Sequence, residues 1–453
     1  MSSGRIRVTV RPGKTLWEEL AQQNIVIDRP CGGKGICGRC AVVLRGGERV
    51  PACRYRTPGE VEIEQIPLQQ FTAVESFGHC RVFEEQNPVA AVDIGTTTVV
   101  LQVFYRDRSV VRSFVNPQRR LGTDVMSRIR AANEGGGKEL QELIWERLQK
   151  ELSLAVKELG GTMDCRLVVS ANTTMQHLLE GISCERMGAA PFVPEKLSLR
   201  NFFIGKTQIV QLPGISAFVG ADIVSGLAAI DILHREAPVL FVDLGTNGEM
   251  ALGSRERLLV TSTAAGPAFE GSGPAMRIHG AGVLRLLHRL LEQGIVDEYG
   301  TLCEAYFDPG YPVDEAEVGS SDSGEEPCVL TQENIRELQM AKAAVCAGVE
   351  MLLAEYQISA EQVETVCLAG GFGRYLDPED ALAVGLLPEK LKGRIVAVGN
   401  TSLEGAVQYL ADPEAAGQRM EEICRRAELI MLPECRDFEE RYIERMNFGL
   451  YGN

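Results

Sequence analysis

Residues 89–100 read VAAVDIGTTTVV, and a similar stretch, VLFVDLGTNGEMAL, occupies residues 239–252. In each stretch an apolar run ends in an acid, Asp93 or Asp243, which a glycine and small hydroxyl or amide residues follow. The pattern predicts two buried strands joined by a tight turn, because glycine lets the backbone turn without a Cβ in the way. Two copies at domain-scale spacing indicate two similar α/β halves that face each other across one cleft.

Each of these turns has the composition of a phosphate-binding loop. Bare glycine backbone permits close approach, exposed N–H groups and hydroxyls donate to phosphate oxygens, and a carboxylate holds Mg²⁺ through water. A single turn of this kind is also typical of an ordinary hairpin. The prediction of a nucleotide cleft therefore depends on the repeat.

A third glycine-rich element follows later in the chain. Residues 363–375, VETVCLAGGFGRY, predict a strand that runs into Gly370, Gly371 and Gly373, where bare backbone can lie against adenine or ribose. Three unrelated glycine turns are the alternative, which the order and spacing of the elements disfavour. With these pieces the chain resembles the superfamily of actin, heat-shock chaperones, sugar kinases and acetate kinases. The resemblance implies an α/β fold with a duplicated RNase H-like, actin-type ATPase core that binds ATP and Mg²⁺.

The composition is that of a soluble globular protein with room for two or three domains. The 453 residues are 45% hydrophobic and 24% charged, with a net charge of −16. Nucleic-acid binders need basic stripes, so this acidic balance argues against a nucleic-acid partner. The sequence lacks a membrane-length apolar run and a signal-peptide core, which predicts a cytoplasmic protein without a membrane partner. Its 13 cysteines then indicate metal ligation or reduced thiols rather than disulfides.

Four of the cysteines are grouped near the N-terminus. Cys31, Cys37, Cys40 and Cys53 follow the spacing C-x5-C-x2-C-x12-C, with three of them in one glycine-rich loop. Such a loop suits an iron–sulfur cluster, because glycines let the backbone wrap the inorganic core and aim N–H groups at its sulfides. Structural zinc is the rival, although zinc sites usually pair two short Cys-x-x-Cys knuckles. The spacing favours a [2Fe–2S] cluster over zinc or inert thiols.

The segment around these cysteines predicts a small α+β domain over residues 1–66. Thr15 is expected to cap a short helix, and strand patterning recurs on both sides of the cysteine loop. The predicted strands are Ile6–Val10, Ala41–Leu44 and residues 61–66. The segment resembles the β-grasp ferredoxin family, although the family's plant-type loop has one residue fewer between its first two cysteines.

The rest of the chain divides around the repeated turns. Residues 67–88 are predicted to be a linker, residues 89–235 the first RNase H-like half, and residues 236–453 the second half with the adenosine motif. The sequence from Asn172 to Thr174 either caps the helix that follows or directs its N-terminus at phosphate.

Polar side chains outside the turns supply further candidates. Asp222 polarises a water or holds magnesium at the start of a predicted helix, or it is that helix's plain N-cap. In the long helix Gln332–Tyr356, which Thr331 is expected to cap, Glu337 and Lys342 either reach a ribose or are solvated. The carboxylates assigned to catalysis are Asp93, Asp222, Asp243 and Glu249.

A more specific resemblance extends from the first turn to the C-terminus. The motifs VAAVDIGTTTV, SANTTMQHLL, FVGADIVSGL, VDLGTNGEM, STAAGPAFEG, ELQMAKAAVCAGV, LAGGFG and MLPECRDFEERYIERMNF occur in that order. They are similar to those of the reductive activators of corrinoid proteins, whose ferredoxin domain the N-terminal cysteines also match. The resemblance implies that ATP hydrolysis accompanies the passage of one electron through a [2Fe–2S] cluster, which reduces Co(II) corrinoid to Co(I) on a methyl-transfer protein.

The same resemblance assigns partners and residues. It implies an acceptor that is a corrinoid protein or another low-potential metalloprotein, and a donor of the low-potential ferredoxin or flavodoxin type. A homodimer is compatible with the sequence. Phosphate-binding residues carried over by motif are Asp93, Gly95, Thr96, Thr97, Asp243, Gly245, Thr246 and Asn247. Adenosine-lining residues carried over by motif are Gly370, Gly371 and Gly373.

Departures from the family pattern keep the acceptor open. Longer members carry an extra domain between ferredoxin and ATPase, where only residues 67–88 stand here, so a short form can serve a different acceptor. Members with C-terminal [4Fe–4S] clusters are not matched, since Cys424 and Cys435 are too few. Three rivals remain: a small-molecule kinase with a redox-regulated appendage, a nucleotide-gated binding module or chaperone, and an activator of another low-potential metalloprotein.

Overall fold

The computed structural model describes most of the chain and divides it into two compact units. The described residues are 6–22, 40–65, 83, 87–162, 165–245, 247–263, 265–266, 268, 281–313, 328–370 and 376–448. The first unit comprises Met1–Phe71, Val115–Gln149 and His177–Glu195, and the second comprises Thr72–Phe114, Lys150–Gln176 and Lys196–Asn453. All the carboxylates assigned to catalysis lie in the second unit.

A four-stranded antiparallel sheet with the order β1-β4-β2-β3 forms in the first unit. Its strands are β1 (Ile6–Val10), β2 (Ala41–Leu44), β3 (Arg49–Pro51) and β4 (Gly59–Gln65). The helix Leu16–Gln22 follows β1, and its Leu16 and Leu20 are fully buried among the inward residues of the sheet. Thr15 caps this helix as predicted, because its Oγ1 accepts a hydrogen bond from the Glu18 amide at 3.2 Å.

The first acid turn belongs to a six-stranded sheet with the order β7-β6-β5-β8-β10-β9. Its strands are β5 (Val89–Ile94), β6 (Thr98–Tyr105), β7 (Arg108–Val115), β8 (Arg166–Ala171), β9 (Arg200–Ile204) and β10 (Thr207–Gln211). β5 pairs antiparallel with β6 and parallel with β8, which in turn pairs parallel with β10. The apolar run of the first turn is therefore the sheet's central strand.

The second acid turn belongs to another six-stranded sheet, with the order β17-β16-β11-β12-β13-β18. The strands after β10 are β11 (Val239–Leu244), β12 (Gly248–Gly253), β13 (Leu258–Thr263), β14 (Tyr311–Val313), β15 (Cys328–Leu330), β16 (Thr365–Ala369), β17 (Ile395–Gly399) and β18 (Ala427–Leu429). β14 and β15 form a separate two-stranded sheet. β11 pairs antiparallel with β12 and parallel with β16, and β16 pairs parallel with β17.

The two six-stranded sheets repeat one topology. In each, the strand that carries the acid pairs antiparallel with the next strand in sequence and parallel with a later strand. Asp93 is in register with Ser170 of β8, and Asp243 is in register with Ala369 of β16. This repeat confirms the predicted duplicated α/β core.

Helices connect and cover these sheets. The α-helices after β4 are Val125–Ala131, Gly137–Leu159, Thr173–Glu180, Ala221–Ala229, Ala281–Glu292, Glu304–Phe307, Gln332–Tyr356, Pro378–Ala383, Thr401–Ala411, Pro413–Arg426 and Phe438–Glu444. Short 3-10 helices are Pro117–Arg120, Glu185–Met187, Ile232–His234, Ala360–Gln362, Glu389–Leu391 and Leu432–Glu434, and a π-helical turn is Ala132–Gly136. Thr331 caps its helix in a capping box with Asn334, as predicted. Within the described ranges, none of the helices combines the length and apolarity that crossing a bilayer requires.

Two helices of the second unit, Ala221–Ala229 and Thr401–Ala411, cross at close range. A Cβ on Gly405 would lie 2.3 Å from the carbonyl oxygen of Ser225, so this approach requires glycine. The helix Thr401–Ala411 also packs on β5 and β8. The crossing therefore brings the N-terminal ends of helices from both halves toward the strand that carries Asp93.

Candidate active site

Four acidic side chains of the second unit act on one another electrostatically. They are Asp93 near the end of β5, Asp243 near the end of β11, Glu249 at the start of β12, and Asp222 in the first turn of Ala221–Ala229. Burial raises the pKa of Asp222 to about 7, and the charge of Asp93 adds to the effect. Burial and the charges of Asp222 and Asp93 raise the pKa of Asp243 to about 8. The structure thus brings together all four carboxylates assigned to catalysis.

Glu249 is the buried member of this group, whereas the three aspartates are partly exposed. It is the register partner of Asp243 in the β11–β12 pair. Burial and the charges of Asp222 and Asp243 raise the pKa of Glu249 well above its ordinary range, and a hydrogen bond with the Asn247 side chain offsets part of this effect. Carboxylates that repel one another in this way favour protons or a cation between them.

Asp93 is held by donors from the far end of the chain. The Ser402 hydroxyl donates to Asp93 Oδ1 at 2.7 Å, and the Asn400 amide donates to Oδ2 at 3.0 Å. Asn400 is also the N-cap of Thr401–Ala411, since its Oδ1 accepts from the Leu403 amide at 2.9 Å. Burial raises the pKa of Asp93, while the hydrogen bonds from Ser402 and Asn400 lower it.

A chain of buried hydroxyls continues from Ser402 into the core. Ser402 Oγ lies 2.9 Å from Ser170 Oγ, and Ser170 Oγ lies 3.0 Å from Ser225 Oγ. Ser170 and Ser225 are fully buried and Ser402 is 4% exposed. These serines lie on β8 and on the two crossing helices, so the orientation of Asp93 depends on elements from both halves.

Asp243 has a different surrounding. Gly370, at the end of β16, has φ +82°, and a Cβ on it would lie 2.5 Å from Asp243 Oδ1. In the described part of the chain, Asp243 has no hydrogen-bond donor comparable to Ser402. In each acid turn the glycine amide donates to a carbonyl of the same turn: Gly95 to Thr98, three residues later, and Gly245 to Asn247, two residues later, both at 3.0 Å.

Family comparison identifies the architecture that carries this site. Residues 89–236 match the RACo middle region, and residues 237–277 and 272–450 match the C-terminal domain of RACo, described as the ASKHA domain. The chain belongs to the RACo family. Membership confirms the predicted actin-type ATPase core, and the RACo ASKHA domain implies ATP binding. The match to the family's middle region, residues 89–236, covers the segment predicted as the first half of the ATPase core.

Relatives of known name extend the RACo comparison. The chain is 30% identical to the corrinoid activation enzyme RamQ of Eubacterium limosum, over 81% of this chain and 71% of that protein. It is 25% identical to the [Co(II) methylated amine-specific corrinoid protein] reductase of Methanosarcina barkeri, over 55% of this chain and 53% of that protein. A solved structure titled reductive activator for corrinoid, iron-sulfur protein superposes with a TM-score of 0.70 at 28% identity, covering 81% of this chain and 66% of that one. The chain thus spans between about half and three quarters of these relatives.

For two predicted site residues, Asp222 and Lys342, the structure rules out the non-functional alternative that the sequence left open. Gly220 is the N-cap of Ala221–Ala229, so Asp222 is not a plain cap but a residue of the first turn. Lys342 is not solvated, because it is 1% exposed, contacts the Asn447 carbonyl oxygen through Nζ, and lies 4.9 Å from the Phe448 ring centroid. The position of Lys342 relative to a ribose stays a prediction.

Several predicted residues lie outside the described residues. They are Cys31, Cys37, Thr246, Gly371 and Gly373. The described members of the phosphate turns, Gly95, Thr96, Thr97, Gly245 and Asn247, lie between the acid-bearing strands and their hairpin partners. The functional residues that sequence reasoning missed are Ser170, Asn400 and Ser402. Asn400 and Ser402 follow β17 as Gly220 and Asp222 follow β10, and this repeat was the available signal.

The described cysteine ligand candidates, Cys40 and Cys53, lie at one end of the β2–β3 hairpin. The Ala52 amide donates to the Cys40 carbonyl oxygen at 2.9 Å, and Ala41 is in register with Pro51. Both cysteines are buried, 0% and 5% exposed. Two buried cysteines carried by neighbouring strand ends fit the predicted iron–sulfur ligand set.

Proposed function

We propose that this RACo-family protein is an ATP-dependent reductive activator that passes one electron to the corrinoid of a methyl-transfer protein and reduces Co(II) to Co(I). Family membership and the names of the relatives RamQ and the corrinoid protein reductase support the proposal. The observation that carries it is the carboxylate cluster, in which Asn400 and Ser402 of the second half hold Asp93 of the first.

The cluster is suited to bind Mg-ATP and to activate a water. Among the described residues, no trio of His, Cys, Asp or Glu is close enough to hold a metal ion directly, so Mg²⁺ would be held through water and phosphate oxygens. The bound ion supplies neutralisation of phosphate charge. Asp222 and Asp243, with pKa values near 7 and 8, are matched to accepting a proton from water near neutral pH.

The two acid turns have separate tasks in this proposal. Asp93 is fixed by two donors and orients the water shell of the ion at the first phosphate turn. Asp243 and Asp222 remain able to exchange protons. The residues Gly370, Gly371 and Gly373 are proposed to lie against adenosine.

The electron path is proposed to begin at an N-terminal domain over residues 1–66. Cys31, Cys37, Cys40 and Cys53 would hold a [2Fe–2S] cluster, which when bound supplies a one-electron carrier. The buried thiols of Cys40 and Cys53 support this ligand set. We propose a low-potential ferredoxin or flavodoxin-like donor, a cytoplasmic location, and a linker at residues 67–88 before the ATPase halves 89–235 and 236–453.

ATP turnover gives the electron transfer its direction. A one-electron step loses a factor of ten in equilibrium for every ~59 mV uphill, so nucleotide cleavage is needed when the acceptor potential lies below that of the donor. Opening of the cleft after hydrolysis would release the reduced acceptor before the electron returns. The corrinoid acceptor is favoured over other low-potential metalloproteins because named relatives act on corrinoid proteins.

The test is an anaerobic reduction assay with the full chain. The protein, reconstituted with iron and sulfide, is mixed with a Co(II) corrinoid protein and a reductant, and Co(I) absorbance is followed with and without Mg-ATP. We expect Co(I) to accumulate only with Mg-ATP. Cys37→Ser should abolish Co(I) formation and retain phosphate release. Equal reduction without nucleotide, or a colourless zinc-loaded protein, would contradict the proposal.

A further inference from the structure

Asn172 joins the first phosphate turn to a helix N-terminus. Its side-chain amide nitrogen donates to Thr96 Oγ1 at 3.1 Å, and its Oδ1 accepts from the Met175 amide at 3.0 Å. Thr96 is 7% exposed and lies in the turn predicted to bind phosphate. The cap was expected from the sequence, but the contact with Thr96 was not.

The two contacts fix the orientation of the Asn172 amide. A backbone N–H only donates, so the side-chain atom facing Met175 must be the oxygen. The atom that faces Thr96 is then the NH₂ group, which only donates. Thr96 Oγ1 therefore accepts this hydrogen bond, and the Thr96 proton is directed away from Asn172.

A neighbouring turn holds the backbone of Asn172 in place. A Cβ on Gly220 would lie 2.6 Å from Asn172 Cα and 2.6 Å from the Thr173 nitrogen, so the chain leading to Asp222 packs directly on this backbone. The Thr173 hydroxyl donates to the Ser216 carbonyl at 2.6 Å, on the same incoming segment. Asn172 is therefore connected both to the phosphate turn and to the segment that places Asp222.

We propose that Asn172 is a positioning residue for ATP hydrolysis, which sets the Thr96 hydroxyl as a donor toward a phosphate oxygen of the nucleotide. The inference rests on the proposed ATP turnover. Because Thr96 Oγ1 accepts from the Asn172 amide, the Thr96 hydroxyl can act toward a phosphate oxygen as a donor, and the same hydrogen bond restricts its rotation. Helix capping alone does not require an amide, since Ser and Asp cap as well as Asn.

The test separates positioning from capping by Asn172→Ser in the full chain. Serine retains an oxygen for the Met175 amide and is too short to reach Thr96. We expect kcat for phosphate release from Mg-ATP to fall roughly five- to tenfold, the effect of one lost oriented hydrogen bond. KM should change by less than a factor of two. The midpoint of thermal unfolding should not change beyond experimental error.

Coupling to Thr96 is the decisive readout. Thr96→Val removes the hydroxyl, and adding Asn172→Ser to it should cause no further loss of kcat. Asp412→Ser, which exchanges the cap of Pro413–Arg426, is the matched control and should retain full activity. Multiplicative losses in the double variant, an unchanged kcat in Asn172→Ser, or an equal loss in Asp412→Ser would overturn the inference.

Failure of the proposed function gives a different result. If the unaltered protein releases no phosphate from Mg-ATP, alone or with a corrinoid protein, the proposed turnover fails. Normal turnover that is insensitive to Asn172→Ser leaves the proposed function intact and rejects the role of Asn172.

Discussion

The two acid turns share a topology and differ in what surrounds their carboxylates. Asp93 accepts hydrogen bonds from Asn400 and Ser402, which lie on the other half. Asp243 instead is repelled by the carboxylates of Asp222 and Asp93, and the backbone of Gly370 lies next to its Oδ1. The repeat has thus preserved the strands, while the groups that follow them have diverged.

The divergence indicates a division of labour. A carboxylate that accepts two donors is fixed in one orientation, and the donors to Asp93 offset part of the rise that burial causes in its pKa. A carboxylate among like charges favours a proton or a cation, and can change state when the nucleotide arrives. The first turn therefore has the properties of an anchor and the second those of a site for chemistry.

The largest expected effect on ATP hydrolysis comes from removing the charge of Asp243 or of Asp93. Asp243→Asn should lower kcat for ATP by roughly 100-fold, because the cleft loses a charge for Mg²⁺ and a proton acceptor. The same substitution should raise the thermal unfolding midpoint of the nucleotide-free protein, since it removes repulsion from Asp222 and Asp93. Steady-state phosphate release and differential scanning fluorimetry measure the two quantities.

Asp93→Asn is the matched variant at the other turn. It should also lower kcat, but it should decrease the unfolding midpoint, because the hydrogen bonds from Asn400 and Ser402 lose their charged acceptor. Stability changes of the same sign in the two variants would show that the turns are equivalent.

The second prediction concerns pH. The folded-state pKa of Asp243 is raised from its ordinary 3.8 to about 8, so its contribution to stability is fully present below pH ~4 and is lost as pH rises toward 8. Asp222 acts in the same direction, with its pKa raised to about 7. The free energy of unfolding of the nucleotide-free protein should therefore fall by roughly 1 kcal/mol per pH unit between about pH 5 and 7.

Asp243→Asn supplies the control for this pH dependence. Urea unfolding at several pH values should give a shallower slope in the variant than in the unaltered protein. Ser225→Ala should leave the slope between about pH 5 and 7 nearly unchanged, because the Ser225 hydroxyl pairs with Ser170 rather than with a carboxylate. A slope that does not respond to Asp243→Asn would assign the titration to other groups.

The sequence predicted the features that depend on residues close together in the chain. The apolar runs before Asp93 and Asp243 and their following glycines predicted buried strands joined by tight turns, and both are present. Thr331 predicted a helix start that the structure confirms. The four catalytic assignments came from strand ends and a helix start, whose positions in an α/β sheet place side chains at one edge.

The donors to Asp93 were not predictable from local pattern. Asn400 and Ser402 are 307 and 309 residues away from Asp93, and their sequence, an Asn and a Ser around a helix start, is typical of any capped helix. Asn172 shows the same limit, since its cap is local and its contact with Thr96 spans 76 residues. The folding of the sheets, rather than any local sequence pattern, brings the residues of each of these pairs together.

A smaller effect is expected from the anchor itself. Ser402→Ala removes the donor to Asp93 Oδ1 and a partner of Ser170, and should cost about 1–2 kcal/mol of unfolding free energy. The affinity for Mg-ATP should also fall, because Asp93 is then free to rotate away from the first turn. Urea unfolding and calorimetric titration measure the two effects. Unchanged stability would mean that the hydroxyl chain does not anchor Asp93.

The smallest effect tests how far this anchor extends into the core. Ser225 lies two hydroxyls away from Asp93, and Ser170 retains contacts with Ser402 and with the Ala221 carbonyl when Ser225 is changed. Ser225→Ala should therefore cost at most about 0.5 kcal/mol, since alanine also has the higher helix propensity. Nucleotide affinity should stay the same. A loss of affinity as large as that of Ser402→Ala would show that the whole serine chain, rather than its last member, determines the orientation of the first acid.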